Sequence, residues 1–81
     1  MTTLTVTDRP LPTRLRVLGE TTSRLQNKLL AAASRIRCEF TEGMLILSGE
    51  VRSYRHKQLA QECTRDVAGV EQIVNRLQVV R

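Results

Sequence analysis

Residues 43–51 read GMLILSGEV, the one run in the chain too apolar to belong at a surface. Leu45, Leu47 and Val51 fall on one parity and Met44, Ile46 and Ser48 on the other, the two-residue repeat of a strand. Gly49 takes the core parity where a side chain is expected, so the spacing predicts that another backbone crosses closely there.

On the N-terminal side, Arg35 to Thr41 alternates cleanly. Ile36, Cys38 and Phe40 lie on one face and Arg35, Arg37, Glu39 and Thr41 on the other, which predicts a half-buried strand. Glu42-Gly43 then reads as a tight turn, with Gly43 supplying the positive φ of a two-residue hairpin, so the two strands pair antiparallel. Further upstream, apolar residues at 15, 18, 25, 29, 32 and 36, with Thr22 filling the gap, form a helical stripe. Gly19 weakens its first turn by about 1 kcal/mol relative to Ala. The helix is therefore placed over Thr22 to Ala33, with Thr21 or Thr22 as N-cap, the Leu15 turn as an extension and Ser34 closing it. Residues 1–13, Thr-rich with Pro10 and Pro12, carry no sustained period and read as a flexible tail ahead of a single domain over 14–81.

On the C-terminal side, Ser53 is placed to cap a second helix from Tyr54 to about Val67, with Leu59, Ala60, Cys63 and Val67 as its buried stripe and His56 at the margin. Ala68-Gly69 ends it. Val70 to Val80 follows as a third strand whose Ile73, Leu77 and Val79 face the helices. Asn75 shares that parity, so it must lie near the sheet end or bond a neighbouring backbone. A right-handed crossover makes this strand parallel to the central one. The fold class is α+β, in the order αββαβ: one three-stranded mixed sheet with two helices packed on one face.

A chain of 81 residues buries only about 60 to 65% of its unfolded surface, so its core is one thin layer without room for a deep cleft. With 41% apolar and 26% charged residues, the composition is that of a globular domain. Thirteen Lys and Arg against eight Asp and Glu give a net charge of +5, which favours polyanionic partners or serves solubility alone. Phe40 and Tyr54 are the sole aromatics, so the stacking platforms of single-strand nucleic-acid binders are missing. No secretory signal or membrane span is read, and the expected compartment is the cytoplasm, or the periplasm if a native leader has been removed.

Catalytic chemistry finds little to work with. The one histidine, His56, lies seven positions from Cys63, roughly 10 Å along a helix axis and too far for a nucleophile and its base. Cys38 and Cys63 lack CxxC spacing and read as buried free thiols; with His56 they fall short of a zinc site. Neither GxxxxGK nor GxGxxG is present, so no metal, cofactor or catalytic residue is expected.

The chain also resembles a known family, the BON (bacterial osmotic-stress and nodulation) domain. The resemblance covers Thr22 to Val80. It rests on Glu42-Gly43 where the family usually has Asp-Gly, then Leu45-x-Leu47-x-Gly49-x-Val51, Ser53, Ala60, Gly69-Val70 and Val74-Asn75-x-Leu77-x-Val79. It implies the αββαβ fold, no enzymatic activity, and attachment to phospholipid membranes or to other proteins, often in the periplasm.

Two surfaces are candidates for that attachment. The second helix begins with Arg52, Arg55, His56 and Lys57 and ends near Glu62 and Asp66, the reverse of what the helix dipole prefers, at about 0.3 to 1 kcal/mol per misplaced charge. These residues would receive anionic headgroups or an acidic partner at the free N–H groups of the helix start; the alternative is a solvated basic face. The second surface is an outer sheet patch of Met44, Ile46, Val74 and Val80 flanked by Arg35 and Arg37, covered by a partner protein, a second copy of the chain, or the segment from Leu4 to Leu11. The leading expectation is a non-catalytic binding module for an anionic membrane surface or a protein. The alternative, a small α+β nucleic-acid-binding domain, lacks a GxxG loop and strand aromatics.

Overall fold

The computed structural model describes residues 13–80. The first helix, α1, spans Thr13–Leu29 and is followed by a 3-10 segment, Leu30–Arg35. Strands β1 (Ile36–Thr41) and β2 (Met44–Val51) come next, then α2 (Tyr54–Cys63), β3 (Gln72–Asn75) and β4 (Gln78–Val79). β2 is central: β1 pairs with it antiparallel on one side, and β3 and β4 pair with it parallel on the other. This is the α+β arrangement and αββαβ order read from the sequence, with the last strand in two pieces.

The quoted stretch is the floor of the core. Leu45 and Leu47 are fully buried and Val51 nearly so, and they join Val17, Leu25, Leu29, Phe40, Ala60, Val67 and Leu77 in one apolar cluster. Cys38 pairs with Leu47 and Phe40 with Leu45, so β1 turns the same parity to the same layer. Gly49 lies opposite Ile36 at φ +119°, and a Cβ there would run into the carbonyl oxygen of Arg35. That is the close backbone crossing its position predicts. The hairpin turn holds Glu42 at φ 48° and Gly43 at φ 79°, two successive left-handed residues of the type a two-residue hairpin demands.

Several boundaries differ from the sequence reading, among them β1, which begins at Ile36 with Arg35 closing the 3-10 segment, and the third strand, which begins at Gln72 and not Val70. α1 begins at Thr13, the last residue assigned to the tail, and neither Thr21 nor Thr22 caps it. Its buried stripe is Val17, Thr21, Leu25 and Leu29, while Leu15 is 57% exposed and Thr22 is exposed. The helix ends at Leu29 because Leu30 turns left-handed, at φ 55°, and Ser34 lies in the 3-10 segment, donating to the carbonyl of Ala31 at 2.9 Å. α2 stops at Cys63, since the Thr64 hydroxyl turns back to the Ala60 carbonyl at 2.9 Å and a turn over 64–66 takes the chain off the helix axis. The third strand breaks after Asn75, whose side-chain oxygen accepts the Leu77 N–H at 3.1 Å. The amide of the same side chain donates to the Lys57 carbonyl at 2.9 Å and to Gln61 Oε1 at 3.2 Å. Asn75 thus settles its core-facing position by bonding a neighbouring backbone. The tail expectation for residues 1–12 lies outside the described residues.

Candidate binding surface at one end of the sheet

β2 leaves the sheet at Val51 and α2 starts three residues later, so the first turn of α2 lies at the same end of the molecule as the end of β2. Ser53 is the N-cap, in extended backbone at φ −149° and ψ 157°, and its hydroxyl accepts the His56 N–H at 3.1 Å. The Lys57 N–H donates to the Ser53 carbonyl at 3.2 Å. The first turn holds no acidic residue and the last turn no basic one, so the unfavourable polarity of this helix is real. Arg52 and Arg55 are exposed; His56 and Lys57 are half-buried.

The strand register defines the outer face row by row. Thr41, Met44 and Gln72 make one row, and Glu39, Ile46 and Val74 the next. Arg37 pairs with Ser48, and the same offset that pairs Leu47 with Asn75 and Glu50 with Gln78 sets Arg76 on the other side of Ser48. Arg35, the last residue of the 3-10 segment, lines one surface depression with Arg37, Ser48, Gly49 and Glu50. Arg35, Arg37 and Arg76 are all exposed.

This register divides the predicted patch. Met44, Ile46 and Val74 are half-buried neighbours near the hairpin turn. Val80 donates its N–H to the Val51 carbonyl at 2.8 Å, six residues beyond Val74, or about 20 Å along the strand. It therefore belongs to the other end, with Arg35. Arg37 lies one row from Ile46 and flanks Ser48 instead.

Charge follows the same division. Arg37 and Arg76 flank Ser48, Arg35 and Arg52 line one pocket with Glu50, and Arg55 and Lys57 lie in the first turn of α2. The two rows nearest the hairpin carry Glu39 and no Lys or Arg, next to Glu42 and to Glu71, whose side chain lies over Gly43. Among the described residues the ion pairs are Arg16–Glu20 at 4.0 Å and Arg24–Glu20 at 2.8 Å, both within α1, so none of the six cations at the far end is paired there. Arg76 was not among the residues singled out from the sequence. Its signal was available in the shared parity of Val74, Arg76 and Val80, but only the register shows that it faces Arg37 across Ser48.

His56 and Cys63 do not form a working pair. The Cys63 thiol points along its own helix to the Ala60 carbonyl at 3.5 Å, and His56 Nδ1 has no hydrogen-bond partner among the described residues. Burial pushes the Cys38 thiol up to about 11, helped by the nearby Cys63, and burial also raises Cys63, so both favour the neutral thiol over the nucleophilic thiolate. Among the described residues no group of three or more His, Cys, Asp or Glu is gathered to hold a metal ion, and no helix is long and apolar enough to cross a membrane.

Comparison with curated proteins finds no match. Comparison with family models finds one, the BON domain, over residues 18–81, from within α1 to the end of the chain. With most of its length matched, and with the fold that the motif positions imply, the chain belongs to the BON domain family.

Proposed function

We propose that this BON domain is a non-catalytic binding module that docks on anionic phospholipid headgroups through the end of the sheet where β2 runs into α2. The family is one of binding-type domains associated with phospholipids or proteins in general. One observation carries the finer reading: six cations, Arg35, Arg37, Arg52, Arg55, Lys57 and Arg76, gather at this end without an ion-pair partner among the described residues. Those in the first turn of α2 weaken the helix through its dipole. Near an anionic bilayer each cation contributes about 1 kcal/mol, an attraction that salt screens. A protein partner is the second reading, favoured by the half-buried Met44, Ile46 and Val74 near the hairpin turn.

Sedimentation of the domain with anionic and zwitterionic vesicles at two salt concentrations tests the proposal, with short RNA and DNA as parallel arms. Arg52→Glu, Arg55→Glu and Lys57→Glu are each expected to weaken binding to anionic vesicles by about fivefold or more. Unchanged binding in all three variants removes the helix start from the surface. Binding to nucleic acid alone, with a steep salt slope, replaces the membrane reading with the nucleic-acid one.

A further inference from the structure

The same end of the molecule contains a pocket of about 410 Å³, within the size range of sites that hold small organic ligands. Three segments distant in sequence build it: the 3-10 segment after α1, the end of β2 with the first turn of α2, and the last described residue of the chain. Its apolar lining comes from Ala31, Ala32, Val51 and Val80. Its polar lining includes Arg35 and Arg52, two cations without an ion-pair partner among the described residues. His56 lines it too.

We propose that this pocket binds a small monocarboxylate with an aliphatic or aromatic body. Two guanidinium groups match the planar, two-oxygen geometry of a carboxylate, and the alanine and valine lining takes the apolar body. Glu50 sets the charge of the ligand. Glu50 lines the same pocket, so a dianion such as a phosphate monoester meets repulsion that a monoanion largely escapes. The site shares Arg35 and Arg52 with the proposed headgroup surface but needs no membrane, so each can fail without the other.

The test is titration of the full 81-residue chain, free of lipid, with 4-methylpentanoate, its uncharged amide and inorganic phosphate, followed by amide ¹H–¹⁵N spectra. The carboxylate is expected to give saturable shifts at residues 31–35, 50–56 and 80 and to bind about tenfold or more tightly than the amide or phosphate. Arg35→Gln and Arg52→Gln should each weaken it by about tenfold, and Glu50→Gln should narrow the preference over phosphate. Ala31 is exposed, so Ala31→Leu should keep the fold, judged by unshifted amides near the hairpin, while intruding on the pocket and weakening carboxylate binding with vesicle binding unchanged. Absence of saturable shifts overturns the proposal, as does an amide that binds as well as the carboxylate. Phosphate with equal affinity at the same residues overturns it too, because that describes a patch of charge and not a pocket for an amphiphile.

Discussion

Thr21 is wholly buried in α1 between Val17 and Leu25, and its hydroxyl has no hydrogen-bond partner among the described residues. A buried hydroxyl in that state costs free energy that an apolar group of the same shape does not. Thr21→Val should therefore raise unfolding free energy by about 1 kcal/mol in urea titrations; a loss of stability would show that the hydroxyl has a partner. The sequence hid this residue because a polar Thr beside Thr22 reads as a cap. Cys38 makes a second prediction. Its thiol ionises at an ordinary 9.0 when unfolded and near 11 when folded, so above pH 9 the unfolded chain holds fewer protons than the folded one. The stabilisation is complete below that point and is lost as pH climbs towards 11. Cys38→Ala should flatten the alkaline fall in urea midpoint, and an identical fall in both proteins would exclude Cys38 as its source.

The elements show why some of the fold was legible in the sequence and some was not. The hairpin followed from strict alternation on both sides of Glu42-Gly43, and Gly49 was interpretable because a strand position without a side chain needs a steric reason. The Ser53 cap was equally plain. By contrast, the stripe of α1 was displaced: Leu15 and Leu18 drew the reading toward a flank, while the buried ridge runs through Val17 and Thr21. No glycine marks the left-handed residue that ends α1, because Leu30, a residue 72% exposed, holds it. The early end of α2 and the break after Asn75 depend on side chains bonding backbone, which periodicity does not encode. Asn75 bonds across elements, giving its amide to α2 and its oxygen to the Leu77 N–H. Asn75→Ala should cost about 2 to 3 kcal/mol and speed hydrogen exchange at Leu77. Wild-type protection at that amide would show that the side-chain bond is dispensable.

At the scale of the molecule, the main property is the separation of the outer sheet face into two ends. The cations of the helix start were legible from their order alone, because successive residues at a helix start share a location. Val80 could not be placed by parity, since parity gives a face but no position along it; the register moves Val80 away from Val74 and brings Arg37 and Arg76 together. The proposed activity resides at that cationic end. The most direct measurement is the footprint left on the amide spectrum by anionic lipid nanodiscs. Signal loss should concentrate at residues 35–37, 48–57 and 76–80 and spare residues 39–44 and 71–74. A footprint centred on Met44, Ile46 and Val74, or one spread evenly over the domain, would contradict the account.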